Sequence, residues 1–248
     1  MKKEKIILVL NGQIPKKDEL KSFIKQYNQI ICADGAANQI IKLNINPDFI
    51  LGDIDSLHTD FINDKSNIIK LEDQNLNDFE KALNWLKDRN YNTIDIIGMD
   101  GKRIDHTIGN FSIILKEISS FDLTIFTESG IFYTIKDKRK FQDICNRYFS
   151  IFSPKKDTKI TTLGLKYELQ NKTLDNIHKG TLNFANKNEV EIETNGTIEP
   201  SQKLDNYISQ YNISPKLSNS GMRKEKRIIA DVLKYFSKNK KSSFKFVI

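Results

Sequence analysis

Acidic residues stand where short apolar runs end, and their spacing marks places where charge is handled. The run Ile30-Ile31-Cys32-Ala33 delivers Asp34 into Gly35-Ala36-Ala37, a strand turning tightly into a helix with small residues that let a ligand approach the backbone. Asp34 is either a helix cap or a site residue. Phe49-Ile50-Leu51 ends in Gly52-Asp53-Ile54-Asp55-Ser56. Alternate residues of an extended segment face the same way, so Asp53 and Asp55 are expected to share one direction. Neighbouring carboxylates repel unless a cation lies between them, and hard oxygen ligands suit Mg²⁺. An Asx turn is the other explanation of the same spacing.

Two further clusters carry cations. In Asp73-Gln74-Asn75-Leu76-Asn77-Asp78-Phe79-Glu80-Lys81 a loop enters a helix, and Asp78 and Lys81, three residues apart, reach the same space beside its N-terminus. Such a terminus with a Lys nearby favours phosphate; a capped helix with a surface ion pair is the plainer alternative. Gly98-Met99-Asp100-Gly101-Lys102-Arg103-Ile104-Asp105-His106 follows an apolar strand, with glycines for close backbone approach and a guanidinium fork suited to phosphate oxygens. His106 reads as a hydrogen-bonded positioning or core histidine ahead of a general base. Carboxylates that bind a metal, combined with a few cations, are what phosphoryl or pyrophosphoryl transfer needs. No Walker A sequence and no protein-kinase glycine loop is present, which disfavours ordinary nucleotide kinases.

The elements that must position these residues follow from periodicity. Apolar runs at 5–10, 29–33, 49–51, 68–71, 93–97 and 122–126 alternate with amphipathic stretches at 17–27, 36–43, 77–88 and 104–118. That alternation predicts an α/β fold, a mostly parallel sheet with flanking helices. The stretch at 77–88 is the clearest helix, with Phe79, Leu83 and Leu86 on one face and Asn77 as N-cap. Beyond residue 130 short strands at 147–153, 159–163, 180–184 and 189–193 predict a smaller antiparallel β-sandwich domain. The expected division is 1–130, 131–199 and a basic extension at 200–248, in which 225–236 has the pattern of an amphipathic helix.

The chain has 248 residues and a formal charge of +7, but residues 200–248 hold 11 Lys and Arg against 3 Asp and Glu, leaving the remainder near neutral. A solvated extension is therefore the expectation for the tail, ahead of a polyanion contact. No apolar run reaches the roughly 18–20 residues of a membrane span. The basic start lacks a secretory cleavage site, which points to the cytoplasm. Cys32 and Cys145 are far apart and read as reduced thiols.

With these residues in view, the sequence resembles the thiamine pyrophosphokinase (thiamine diphosphokinase) family. The resemblance lies in ADGAAN at 33–38, GDIDS at 52–56, DQNLNDFEKAL at 73–83, GMDGKRIDHTIGN at 98–110, TTLGLKYEL at 161–169 and GTLNFA at 180–185. It implies transfer of pyrophosphate from ATP to the hydroxyl of thiamine, giving thiamine diphosphate and AMP. It also implies a homodimer whose active sites lie at the subunit interface, and Mg²⁺ as cofactor. By motif, Asp53, Asp55 and Asp78 would be metal ligands, with Asp34 beside them. Gln74, Asp78, Lys81, Arg103 and Asp105 would serve ATP, and Tyr167, Thr181 and Asn183 would line the thiamine side. Asp34 or Asp105 would take the hydroxyl proton. Asn77 stands where the family usually has Thr, Leu182 where it commonly has Ser, and Tyr167 where a Trp is often seen.

Two other readings compete. A haloacid-dehalogenase-like phosphatase would use Asp53 as nucleophile and Asp55 as acid and base, but that family's motif lies near the chain start. A nucleic-acid-binding protein would act through the basic tail, against the near-neutral body.

Overall fold

The structure is a computed structural model that describes residues 4–55, 57, 67–118, 120–153, 156–176, 178–194 and 207–211. Six strands, β1 (Ile6–Val9), β2 (Gln29–Ala33), β3 (Phe49–Gly52), β4 (Asn67–Lys70), β5 (Thr93–Ile97) and β6 (Asp122–Thr127), pair in parallel in the order β6-β5-β1-β2-β3-β4. Four helices, α1 (Lys17–Ile24), α2 (Asp34–Lys42), α3 (Asp78–Asp88) and α4 (Ile104–Glu117), connect them.

Both faces of this sheet are apolar, because strand residues alternate between two cores. Ile7, Val9, Cys32 and Ile50 pack with Leu20, Phe23, Ala36 and Ile40 of α1 and α2. Ile6, Leu8, Ile31 and Leu51 pack with Phe79, Leu83, Leu86 and Ile114 of α3 and α4. Parallel strands covered on both sides read as unbroken apolar runs, so the sequence expectation and the structure agree closely there. α3 is capped as expected: the Glu80 amide donates to Asn77 Oδ1 at 2.9 Å. Cys32 is buried and Cys145 exposed, both as free thiols.

The sheet continues past residue 130. β7 (Gly130–Ile135) turns back antiparallel on β6, and β9 (Tyr148–Phe152) and β12 (Asn183–Phe184) extend the same sheet at its far end. A second, antiparallel sheet of β11 (Lys172–Thr173), β10 (Lys159–Leu163), β13 (Val190–Thr194) and β8 (Lys138–Phe141) stands apart in hydrogen bonding. Phe132, Phe149, Ile160 and Ile192 join the two sheets to the α3–α4 core. Outside, Lys138 and Lys140 of β8 pair with Glu189 and Glu191, an opposite-charge ladder of the kind that fixes strand register. β7, β8 and β11 were not anticipated, and the expected strand at 180–184 shrinks to two residues.

One finding corrects the expectation for the tail. Residues Tyr207–Tyr211 form β14, antiparallel to both β7 and β9, and so sit inside the sheet rather than on a solvated extension. The helix expected at 225–236 lies outside the described residues, as does Ser56. Truncation after residue 206 leaves β7 and β9 with unpaired backbone groups along one edge each. At about 1 kcal/mol for a net hydrogen bond, the melting temperature of that variant is expected to fall by roughly 5 °C or more in a thermal scan. None of the described helices is long and apolar enough to cross a membrane.

Candidate active site

The strand order sets the location. From β1 the chain winds through β2, β3 and β4 on one side and then returns to β5 on the other. The reversal between β1 and β5 opens a crevice at the carboxyl ends of the strands, where ligands bind in sheets of this class. A cleft of about 490 Å³ occupies that position, lined by residues following β1 (Leu10, Asn11, Gly12), following β5 (Gly98, Met99, Asp100), and at the starts of α3 and α4. The two loops are zipped together by Leu10 N to Ile97 O (2.9 Å), Gly12 N to Gly98 O (2.7 Å) and Gln13 N to Asp100 O (2.6 Å). Gly98 has φ +74°, and a Cβ there would lie 2.1 Å from the Leu10 carbonyl oxygen. Gly98→Ala is therefore expected to cost about 2 kcal/mol, or roughly 4–8 °C of melting temperature, from backbone strain and overpacking.

At one end of the cleft the ammonium of Lys81, on the first turn of α3, lies 3.8 Å from Asp53 Oδ2 and 3.7 Å from Asp78 Oδ1. Its side chain is only 4% exposed. Asp34, at the start of α2, is 3% exposed and packs behind this group. It fits because Gly52 has no side chain: a Cβ there would meet the Asp34 Cβ at 2.7 Å. The Asp78 carboxyl is pushed above the ordinary carboxylate range, first by burial and then by the charges of Asp53 and Asp34, against the opposing pull of Lys81. Two carboxylates thus flank one buried ammonium, Asp34 adds its charge to that of Asp53 on Asp78, and the group carries a negative surplus. Among the described residues no three His, Cys, Asp or Glu side chains stand close enough to enclose a metal ion by themselves. Hard oxygens in negative excess nevertheless fit a divalent cation that takes its remaining ligands from phosphate and water.

Of the residues singled out from sequence, Asp53, Gln74, Asp78, Lys81 and Arg103 line the cleft. Asp34 lies behind it. Asp55 does not follow the expected alternation: Ile54 has φ +73°, which breaks the extended segment, and Asp55 is exposed and outside the lining. Asp105 is exposed and receives Arg103 through both arms of its carboxylate, Nε to Oδ1 at 3.1 Å and Nη2 to Oδ2 at 2.5 Å. The guanidinium holds the Asp105 carboxyl down at about 2, and the two hydrogen bonds fix the direction of Arg103.

The thiamine-side residues form a separate group. The Thr181 hydroxyl donates to the His178 carbonyl at 2.7 Å. The Asn183 amide braces the Tyr167 backbone at both ends, accepting from its N–H at 3.0 Å and donating to its carbonyl at 2.7 Å. Both polar groups are therefore committed internally. What this segment presents outward is the Tyr167 ring, 62% exposed, and Leu182, 54% exposed and at φ +61°.

Sequence reasoning missed Asn11, Gly12, Thr107 and Asn110 of the cleft wall. An Asn-Gly pair directly after the first apolar strand was the available signal.

Comparison with known proteins agrees with this layout. Residues 20–127 match the description "Thiamin pyrophosphokinase, catalytic domain" and residues 130–198 match "Thiamin pyrophosphokinase, substrate-binding domain". The chain belongs to the thiamin pyrophosphokinase family. Membership makes it a kinase that forms thiamine diphosphate, with ATP and thiamine as substrates and a divalent metal ion in attendance. Thiamin pyrophosphokinase 1 of Caenorhabditis elegans is 24% identical over 195 residues, which is 72% of this chain and 80% of that one. The crystal structure of thiamine pyrophosphokinase from Bacillus subtilis superposes with a TM-score of 0.65 at 20% identity, covering 84% of this chain and 98% of the other. For the enzyme from Candida albicans the TM-score is 0.67 at 19% identity, over 85% and 90%. Both catalytic-domain clusters, Asp53 with Lys81 and Arg103 with Asp105, fall inside the first matched segment of the family.

Proposed function

We propose that the cleft binds ATP with its β- and γ-phosphates toward Lys81 and that the thiamine hydroxyl attacks the β-phosphorus there. The bond from that phosphorus to the α–β bridging oxygen breaks, AMP leaves with the oxygen, and the hydroxyl proton passes to a carboxylate of the site. The observation that carries this reading is the buried Lys81 ammonium held between Asp53 and Asp78 at the β1/β5 crevice. Asp53 and Asp78 would hold Mg²⁺, with Asp34 behind them and Asp55 at the rim. When bound there, such an ion would supply neutralisation of the charge developing on the phosphate oxygens. Lys81 keeps the carboxylates together and offers positive charge to the transferred group, while Gln74 donates to its oxygens. Arg103, aimed by Asp105, retains N–H groups for the phosphates. Tyr167 and Leu182, held out by Asn183 and Thr181, supply an apolar and aromatic surface for thiamine, whose cationic ring an aromatic face attracts.

The protein acts in the cytoplasm as a homodimer, in which the Tyr167 surface of one subunit completes the cleft of the other. Division of labour follows the residues: 1–130 for nucleotide and catalysis, 131–199 for thiamine, with 200–248 contributing β14. Incubating the purified chain with thiamine, ATP and MgCl₂ tests the reaction: equal amounts of AMP and thiamine diphosphate are expected. Free phosphate or ADP in place of AMP would overturn it.

A further inference from the structure

The far end of the cleft holds an amide whose orientation the structure fixes. Asn11 Oδ1 lies 2.9 Å from Lys102 Nζ and 2.9 Å from Gln39 Nε2. An ammonium has no acceptor, so the Asn11 atom facing it must be the oxygen. Gln39 is fixed independently, since its Nε2 also lies 3.3 Å from the Gly12 carbonyl, which can only accept. Two constraints therefore give the same assignment, removing the usual ambiguity between amide oxygen and nitrogen. Both hydrogen bonds that Asn11 makes among the described residues fall on Oδ1. Its Nδ2, with two N–H groups, is left for something else, and Asn11 and Lys102 both line the cleft.

We propose that Asn11 and Lys102 form a phosphate clasp at this end of the nucleotide site, with Asn11 Nδ2 and the ammonium of Lys102 donating to phosphate oxygens of ATP. The clasp rests on reading the cleft as the nucleotide site. The loop that carries Asn11 is locked to the β5 loop by three backbone hydrogen bonds, so the donor is held in place before a ligand arrives. Chemistry selects an anion: an ammonium and an amide N–H pair offer donors only, and of the carboxyls that line the cleft Asp53 and Asp78 flank Lys81 while Asp100, on this wall, is pushed up to about 6 by burial and by Glu128. Asn11 precedes residue 20, where the family match begins, so the match assigns it no role.

Two variants separate ligand binding from bracing. Asn11→Asp keeps an oxygen for Lys102 and Gln39 but replaces the donor with an anion; Asn11→Leu removes the donor without adding charge. ATP affinity is measured by calorimetry with MgCl₂ present, which needs no turnover, alongside KM for thiamine. Asn11→Leu and Lys102→Met are expected to weaken ATP binding about tenfold, the loss of one hydrogen bond to a charged acceptor, and Asn11→Asp more than that. KM for thiamine stays unchanged, and Asn11→Asp melts with the wild type. Binding of ATP by Asn11→Leu within about twofold of wild type would overturn the clasp while leaving the proposed reaction intact. A parallel rise in thiamine KM would also overturn it, by showing a bracing role. Failure of the wild-type chain to bind ATP would instead remove the nucleotide-site reading itself.

Discussion

Replacing Lys81 with methionine is expected to lower the melting temperature and abolish most turnover together. The ammonium is 4% exposed and is the near neighbour of two carboxylates, at 3.8 and 3.7 Å. Methionine preserves the length and much of the stem packing but leaves Asp53 and Asp78 facing each other with Asp34 behind, uncompensated. Removing one partner of a buried ion pair typically costs 3–5 kcal/mol; because the two carboxylates retain contact with water, the lower end applies, about 3 kcal/mol or roughly 6–12 °C for a chain of this size. Loss of a positive charge beside the transferred phosphoryl group adds a fall in kcat of about 100-fold or more. MgCl₂ should raise the melting temperature of Lys81→Met more than that of the wild type, since the cation would then take over part of the ammonium's role. A variant that melts within about 2 °C of wild type would show that the cluster is not held by this ion.

Why so much of this was legible in sequence follows from the kind of sheet involved. Strands covered on both faces must be apolar throughout, so Gln29–Ala33 and Thr93–Ile97 have the same limits in sequence and structure. Helix α3 announced itself by its cap and its apolar face, and its cap fixes where Asp78 and Lys81 begin. Asp34, Asp53 and Asp78 could be foreseen at one end of the sheet because each sits at the carboxyl end of a strand or the start of a helix.

What escaped depended on single backbone torsions and on long-range pairing. The alternation argument for Asp53 and Asp55 fails at Ile54, whose positive φ no β-branched residue advertises. Leu182 holds a similar conformation, supported by its amide donating to Ser150 Oγ at 3.2 Å, a partner 32 residues away. β14 lies in a polar stretch and pairs with β7 on one side and β9 on the other, a long-range placement its own residues do not announce. The burial of Lys81 was likewise hidden, because sequence shows its spacing from Asp78 but not its closeness to Asp53, which comes from the packing of α3 beneath β3.

Asp78→Asn separates stability from function most sharply. Asn is nearly isosteric with Asp and retains acceptor capacity in the first turn of α3, so the fold should persist. The wild-type carboxyl is raised by burial and by Asp53 and Asp34, which means the folded state favours its protonated form. An acid raised in the folded state adds stability that is present in full below its unfolded value and is lost as pH rises through the folded one. At pH 7, therefore, ionised Asp78 subtracts from stability, and the neutral amide is expected to melt above the wild type. That advantage should shrink as pH falls from neutral and the wild-type carboxyl takes up its proton, sooner than an ordinary carboxylate would. Some of the gain is offset by the lost attraction to Lys81, which keeps Asp53 as its partner, and by the helix macrodipole, which favours a negative charge in the first turn by about 0.3–1 kcal/mol. Turnover moves the other way: losing a carboxylate from the cation site should lower kcat by about 100- to 1,000-fold. An enzyme made more stable and nearly inactive by one substitution would show that these carboxylates are kept together for the reaction and at the expense of the fold. A variant both active and unchanged in its pH-dependent melting would place Asp78 outside the site.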